Sequence, residues 1–250
     1  MIFDRISVKQ QAREIIAASK PSAITVGAVY LLLSIVIGML SSRLIGGEFL
    51  QIDTQQYLNF VIAGDYEAAI ALIPQYTPKP AATLIDFALQ LMLMIVSTGY
   101  IIFILNTIRK AAPCFGNLLD GFGMAWRIFV LYFLEGLFVA LWSMLLIVPG
   151  IIAAYRYRQA VYLLIDHPEL SPLQCISASK EMMNGHKMEL FEFDLSFIGW
   201  WLLSLVPVVS YVVQLWTVPY FGTARALYYE ILSGRSFSAA DGAPSSFEQQ

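Results

Sequence analysis

The stretch Ile128–Val148 reads IFVLYFLEGLFVALWSMLLIV and contains a single charged residue, Glu135. An α-helix rises ~1.5 Å per residue, so roughly 20 apolar residues are needed to cross the ~30 Å hydrocarbon core of a bilayer. This stretch meets that requirement, and Pro149-Gly150 directly after it is typical of a helix end followed by a tight turn. We therefore predict a transmembrane helix that ends at Val148.

The composition of the whole chain agrees with a lipid environment. Of 250 residues, 58% are hydrophobic and only 13% are charged, whereas roughly a quarter of the residues of a soluble globular domain are charged. The apolar residues fall in long blocks, and a chain this apolar does not have enough polar groups to cover its surface in water. The composition excludes an ordinary soluble domain and predicts the lipid bilayer as the principal partner of the chain.

Five further apolar blocks complete the predicted architecture, an all-α polytopic membrane helical bundle of six transmembrane helices. The fourth span is short and carries Arg156 and Arg158, which are costly at the centre of a membrane. Pro219 is expected to kink the sixth span. We predict one integral membrane domain over residues 1–232 and a disordered cytosolic tail over 233–250, with spans at about 22–42, 83–105, 128–148, 151–165, 191–206 and 208–232.

The distribution of basic residues predicts the orientation, because cytoplasmic loops carry an excess of Lys and Arg. Not counting Arg127, at the start of the third span, six spans with a cytosolic N-terminus place nine basic loop residues in the cytosol and only Arg43 and Lys79 outside. Without the fourth span the bias disappears, with seven outside against six inside. We therefore predict a multi-pass protein of the bacterial inner (cytoplasmic) membrane, with both termini in the cytosol. The nine cytosolic residues are Arg5, Lys9, Arg13, Lys20, Arg109, Lys110, Lys180, Lys187 and Arg235.

Interfacial amphipathic helices are predicted between and before the spans. Met1–Lys20 is expected to lie on the membrane, its basic side chains facing anionic headgroups. Ser171–Gly185 has a complete set of helix signals, with Ser171 and Gln174 forming a capping box. Pro172 suits the first turn and Gly185 suits the end. The long external segment Gly46–Pro80 contains a further amphipathic stretch, Tyr66–Ile73, and Ile2, Phe3, Ile6, Ile15 and Ile16 are the expected apolar contacts of the first helix.

Four charged residues are the candidate functional cluster: Glu135, Arg156, Arg158 and Asp194. All lie within or near predicted spans, where a charge is costly unless it is paired or hydrated. Glu135, Arg158 and Asp194 are expected to meet between helices. The cluster has two interpretations: structural ion pairs, with arginines snorkelling to the interface, or part of a substrate or ion path.

No motif of a known catalytic, metal or cofactor site is present. The sequence lacks G-x-S-x-G, H-E-x-x-H and G-x-x-x-x-G-K-[ST] patterns, which mark hydrolases, zinc proteases and nucleotide-binding loops. Cys114 and Cys175 form no C-x-x-C pair, and the only histidines are His167 and His186. We predict no catalytic residue, no metal ligand and no cofactor. Nucleic-acid binding is not expected, because the basic residues flank the spans instead of forming a patch.

The run Pro149-Gly150-Ile151-Ile152, with Ala154-Tyr155 after it, and the octapeptide Asp194–Trp201 are distinctive motifs of the C-terminal half. With them, the sequence resembles the bacterial integral membrane family known as domain of unknown function 975. The resemblance implies a multi-helix membrane domain without an established activity, and it transfers no functional residue. Arg156 and Arg158 depart from the pattern, which has small or polar residues there. The resemblance rests on Pro149-Gly150-Ile151-Ile152, Ala154-Tyr155, Tyr157, Ser179–Met183, Gly185–Lys187, Glu189–Phe191, Asp194–Trp201, Val218–Tyr220 and an opening like Met1–Arg5.

Three functions are compatible with these observations. The first is a non-enzymatic membrane module that acts through lipids or through other envelope proteins. The second is a small transporter, channel or lipid-handling protein that uses the charged cluster and the Pro219 kink. The third is a membrane-embedded enzyme acting on lipids, for which the sequence offers no clear acid–base pair. We expect the first of these and therefore expect no enzymatic activity.

Overall fold

A computed structural model describes residues 5–46, 54–72, 79–204 and 206–234, and every secondary-structure element in these ranges is a helix. The predicted all-α class is confirmed. The predicted tail lies largely outside the described residues, as do Arg235, Ile2, Phe3 and parts of the external segment. The helices are α1 (Arg5–Ala18), α2 (Ala23–Gly46), α3 (Thr54–Ala63), α4 (Tyr66–Ala71), α5 (Pro80–Ile108), α6 (Asn117–Asp120), α7 (Ala125–Leu145), α8 (Ile147–Tyr157), α9 (Ala160–Asp166), α10 (Pro172–Met182), α11 (Lys187–Leu195), α12 (Ile198–Leu203) and α13 (Pro207–Leu232), with a short 3-10 helix at Gly121–Met124.

Three stretches of the described chain are long and apolar enough to cross a membrane: Ala23–Leu44, Pro80–Ile108 and Asn117–Leu145. They contain the first two predicted spans and most of the third. The remaining three predicted spans fall on α8–α9, α11–α12 and α13, which are shorter, interrupted or more polar. The membrane character suggested by the sequence is therefore supported by three helices, and the count of six spans remains a prediction.

The third span ends earlier than its sequence predicts. The break falls at Leu146, whose backbone is extended (φ −161°, ψ 150°), and not at Pro149-Gly150. Pro149 instead lies in the first turn of α8, where its missing N–H would have no partner in any case. Gly150 allows α8 to approach α7, because a Cβ at this position would lie 2.0 Å from Oγ of Ser143. Pro149 and Gly150 therefore allow α8 to begin directly after the break and to pack closely against α7.

A serine from another helix interrupts the fourth predicted span between α8 and α9. Oγ of Ser179, on α10, accepts from the N–H of Gln159 at 3.2 Å and donates to the carbonyl of Arg156 at 2.8 Å. A side chain inserted into the backbone ladder is a known cause of helix kinks. The predicted single helix over 151–165 is therefore two helices with Arg158 at the junction.

The fifth predicted span, 191–206, is also divided. α11 ends at Leu195, where the hydroxyl of Ser196 donates to the carbonyl of Phe193. The ammonium of Lys9 donates to the carbonyl of Ser196 at 3.1 Å. These contacts satisfy carbonyls at the end of α11 that have no helical partner, and a cation there is favourable for the helix dipole. The chain then continues as the short helix α12.

Close packing at small residues brings α2, α5 and α13 together. A Cβ at Gly27 would lie 3.1 Å from the hydroxyl of Tyr100 and 3.4 Å from Cδ of Pro219. A Cβ at Gly222 would lie 2.4 Å from Cδ1 of Ile104. Glycine contacts of this kind are typical of helices that pack within membranes. Pro219 lies inside α13, which continues through it.

Helix α10 confirms the sequence prediction for 171–185. The backbone N–H of Gln174 donates to Oγ of Ser171, and the backbone N–H of Ser171 donates to Oε1 of Gln174 at 2.8 Å. Pro172 occupies the first turn. Gly185 follows the helix with φ +85°, a left-handed conformation that glycine adopts without strain.

Helix α1 packs on the protein through Val8, Ala12 and Ile16, which are buried at intervals of four residues. Its basic side chains, which the sequence predicts to face headgroups, instead contact protein groups. The guanidinium of Arg5 lies 3.1 Å from the Glu192 carboxylate. Lys9 lies 4.3 Å from the ring centre of Phe197, and Arg13 lies 5.4 Å from that of Tyr220. Cation–π contacts of this kind hold α1 on the protein.

The chain divides into two compact units. Unit 1 comprises residues 1–31 and 94–250, and unit 2 comprises residues 32–93. The core of unit 1 is rich in large side chains, with Tyr220, Tyr228, Phe103 and Phe193 all fully buried. In unit 2, the hydroxyl of Ser41 donates to Oδ1 of Asp86.

Candidate functional site

Arg158, Asp194 and Arg225 form one charged cluster in unit 1, here called the Arg158 cluster. Arg158 lies just after α8, Asp194 in the last turn of α11 and Arg225 on α13. Nε and Nη2 of Arg225 both lie 3.2 Å from Oδ1 of Asp194, and Nη2 of Arg158 lies 3.6 Å from Oδ2. Two guanidinium groups therefore share one carboxylate, and the cluster carries a surplus positive charge.

The guanidinium of Arg158 is only weakly satisfied by the protein. Its 3.6 Å approach to Asp194 is longer than a hydrogen bond, and its only other close contact in the described chain is over the ring of Tyr155, at 5.9 Å. The side chains of Arg158 and Arg225 remain 37% and 31% exposed, while Asp194 is 15% exposed. The cationic groups therefore open toward the surface and the carboxylate lies beneath them.

The structure places the other two predicted residues, Glu135 and Arg156, outside this contact. The charge of Arg158 acts on Glu135 through space. Oε1 of Glu135 is buried and has no hydrogen-bond partner among the described residues, and the same holds for Nε of Arg156. Of the four predicted residues, Arg158 and Asp194 meet. Arg225 and Tyr155, whose hydroxyl donates to Asp194 at 3.3 Å, join them.

A second ionic group, the Arg109 triad, consists of Arg109, Asp166 and Glu230. Nη1 and Nη2 of Arg109 donate to the two oxygens of Asp166, each at 2.7 Å, and Nε donates to Glu230 at 2.7 Å. Side-chain exposure is 4% for Asp166 and 1% for Glu230. A bidentate guanidinium–carboxylate pair is among the strongest polar contacts in proteins.

The surroundings of the triad reinforce it. The hydroxyl of Tyr229 donates to Oδ2 of Asp166 at 2.8 Å, and its ring stacks on that of Tyr162 at 4.9 Å. Burial opposes the charged form of Arg109, yet its hydrogen bonds to Asp166 and the charge of Glu230 outweigh burial and raise the pKa of Arg109. The guanidinium of Arg109 therefore remains charged at any physiological pH.

The N-terminal helix brings basic side chains onto α11. Arg5 and Lys9 contact α11 at Glu192 and Ser196, two residues before and after Asp194 and therefore on another face of the helix. Partial burial and the neighbouring charges of Arg13 and Arg5 lower the pKa of Lys9. Among the described residues, no three His, Cys, Asp or Glu side chains come together as a metal site requires.

Sequence reasoning missed the Arg109 triad, although each of its members carries a signal. Arg109 lies four residues after the second predicted span, Asp166 directly follows the fourth, and Glu230 is a charge within the sixth. Charged residues at such positions need partners. Which partners they find depends on helix packing, since Arg109 is 57 residues from Asp166 and 121 from Glu230 along the chain.

Comparison with known protein families gives a match over the C-terminal part of the chain. Residues 143–236, a little over a third of the chain, match the family model described as Protein of unknown function (DUF975). The matched stretch runs from the end of α7 past α13 and contains the whole Arg158 cluster, together with Asp166 and Glu230. The resemblance predicted from these residues is confirmed over that stretch, which does not include Met1–Arg5. No curated protein and no solved structure matches the chain.

Proposed function

We propose that this chain, whose residues 143–236 match the DUF975 family model, is a multi-pass protein of the bacterial cytoplasmic membrane. In this proposal it has six spans, both termini lie in the cytosol, and the protein is a non-enzymatic module that acts through lipids or partner proteins. The proposal rests on three features: the apolar surface of the helices, the position of the Arg109 triad and the chemistry of the Arg158 cluster.

The apolar surface supports insertion into lipid. In Ala23–Leu44, only 28% of the most apolar part of the helix is buried within the protein. In Asn117–Leu145, the corresponding buried share is only 11%. The turn from α7 to α8 is uncharged and exposed, since Met144 is 86% and Ile147 is 76% exposed. Exposed apolar area on this scale is unfavourable in water, by about 25 cal/mol per Å².

The Arg109 triad is the observation that carries the topology. Arg109 follows the second predicted span, Asp166 follows the fourth, and Glu230 lies near the end of the sixth. Six spans bring all three positions to the cytosolic face, where contacts of 2.7 Å are possible. If the fourth segment did not return across the membrane, Asp166 would lie on the opposite face, ~30 Å from Arg109. The contact therefore supports six spans.

The chemistry of the Arg158 cluster supports binding and not catalysis. Guanidinium groups remain protonated throughout the physiological pH range, so they bind anions and do not exchange protons with a substrate. Asp194 is held by Arg225 through two hydrogen bonds. These groups suit a module that recognises an anionic lipid or protein.

Thiol labelling tests the proposed topology, and the structure selects the thiol. Cys114 is exposed, whereas Cys175 is buried in α10, and burial raises the pKa of the Cys175 thiol. In intact cells, a membrane-impermeant maleimide should leave Cys114 unlabelled until the membrane is permeabilised. Glu67→Cys on α4, in a Cys114→Ser/Cys175→Ser background, should react at once.

Two results would contradict this proposal. One is labelling of Cys114 from outside the intact cell. The other is recovery of the protein in the supernatant after carbonate extraction and ultracentrifugation of membranes, because an integral protein stays in the pellet.

Transport is a second candidate, favoured by Glu135. Its Oε1 is buried without a hydrogen-bond partner in the described chain, and it lies on α7, within a membrane-length stretch. Buried acidic groups often mark ion or proton paths. An ion or proton flux in proteoliposomes that Glu135→Gln abolishes, with unchanged folding, would favour this candidate. Equal flux with and without the substitution would exclude a path through Glu135.

A further inference from the structure

The Arg158 cluster continues into an exposed apolar stripe. Ile151, Tyr155 and Arg158 are spaced four and three residues apart and therefore share one face of α8. Phe191 and Leu195 share a face of α11 in the same way. The rings of Tyr155 and Phe191 meet edge to face at 5.8 Å, so the two faces adjoin. Ile151 is 48%, Phe191 37% and Leu195 50% exposed.

We propose that this surface binds an acidic phospholipid, with its phosphate between Arg158 and Arg225 and its acyl chains along Ile151, Phe191 and Leu195. The inference rests on the proposed membrane location and specifies the lipid through which the module acts. A phospholipid has a charged head adjoining apolar chains. This surface likewise has cationic side chains adjoining exposed apolar ones. Guanidinium groups match phosphate geometry, because they present several N–H donors in one plane.

The charges around the surface favour an anion over a zwitterion. The guanidinium groups of Arg158 and Arg225 share the single carboxylate of Asp194, and Arg158 makes no hydrogen bond within the described chain. Asp194 binds Arg225 but is shared between two cations. The site is therefore incomplete without an additional anionic group.

The position of the cluster suits a headgroup. α1, the predicted interfacial helix, contacts α11 at Glu192 and at Ser196, on either side of Asp194. On α13, Arg225 lies five residues before Glu230, so ~7.5 Å along the helix from the Arg109 triad at the predicted cytosolic end. Arg225 therefore lies within about one and a half helical turns of the predicted cytosolic end, where a guanidinium reaches toward the phosphates of the cytosolic leaflet.

The experiment uses the full-length protein in detergent micelles. Phosphatidylglycerol or phosphatidylcholine with identical acyl chains is added, and thermal unfolding and retained lipid (by native mass spectrometry) are measured. Phosphatidylglycerol should raise the unfolding temperature and be retained, and phosphatidylcholine should do neither. Arg158→Gln should weaken the apparent affinity for phosphatidylglycerol by about tenfold, the value of one charge-assisted hydrogen bond. The matched control, Lys180→Gln, removes an exposed cation on α10 and should have no effect.

A second variant keeps the test informative if Arg158→Gln does not fold. Asp194→Asn removes the carboxylate that competes for the two arginines, so it should strengthen binding of phosphatidylglycerol. Equal effects of the two lipids would overturn the inference, as would an equal loss in Lys180→Gln or weaker binding in Asp194→Asn. Inorganic phosphate acting as well as phosphatidylglycerol would also overturn it and assign a free anion. Retention in the carbonate pellet with no lipid preference would contradict only this inference and leave the proposed membrane location intact.

Discussion

The Arg109 triad and the Arg158 cluster both consist of arginines and carboxylates, but they differ in how completely the arginines are paired and buried. In the triad one guanidinium meets two buried carboxylates, with hydrogen bonds of 2.7 Å to each. In the cluster two guanidiniums share one carboxylate, at 3.2 and 3.6 Å, and both are about one-third exposed. In the triad, the guanidinium N–H groups of Arg109 donate to both carboxylates. In the cluster, most N–H groups of Arg158 and Arg225 remain available for another acceptor.

The difference indicates separate roles. A buried ion pair costs several kcal/mol to desolvate and is strongly destabilising when one partner is removed. A partly exposed pair contributes about 0–1 kcal/mol, because solvent screens it. We therefore interpret the triad as the contact that fixes the ends of α5, α9 and α13, and the cluster as a binding surface. The predictions below test this contrast, from the largest effect to the smallest.

Arg109→Gln should destabilise the protein by about 3–5 kcal/mol, because it leaves Asp166 and Glu230 buried without their cation. The free energy of unfolding, measured by denaturant titration in a fixed detergent, checks this value. Lys110→Gln changes the adjacent cation and should have a negligible effect. A loss below about 1 kcal/mol in Arg109→Gln would show that the triad is not a structural contact.

Tyr229→Phe should cost about 1–2 kcal/mol, because it removes a hydrogen bond to the buried Asp166 and keeps the ring stacked on Tyr162. Tyr155→Phe makes the same chemical change at the Arg158 cluster. It should cost less than about 0.5 kcal/mol, since its 3.3 Å contact with Asp194 is long and less buried. Equal costs in the two variants, measured under the same conditions, would remove the distinction between the regions.

Arg158→Gln should lower the free energy of unfolding by less than about 1 kcal/mol in lipid-free detergent, because its ion pair is long and partly exposed. The same denaturant titration measures it, with Lys180→Gln as the exposed control. A loss comparable to that of Arg109→Gln would assign Arg158 a structural role.

Helices with strong local signals were predictable from the sequence. α2 and α5 follow from uninterrupted apolar runs, and α10 follows from the capping box of Ser171 and Gln174, which the structure reproduces. In each case the residues that define the helix lie within it. The local sequence was sufficient there because neither prediction needed a partner from another part of the chain.

Breaks and partners were not predictable in the same way. The junction of α8 and α9 depends on Ser179, which is 20 residues from Gln159. The end of α11 depends on Lys9, which is 187 residues from Ser196. The candidate cluster was found in part, because charges in apolar segments are conspicuous. Its third member, Arg225, required knowledge of how α13 packs against α11.

Double-mutant cycles in one detergent test the contrast most directly. The first cycle combines Arg109→Gln with Glu230→Gln, and the second combines Arg158→Gln with Asp194→Asn, with the coupling free energy of each pair as the readout. We predict a coupling of at least about 2 kcal/mol for the first pair and below about 0.5 kcal/mol for the second. Equal couplings, or a stronger coupling in the second pair, would contradict the assignment of one region to structure and the other to binding.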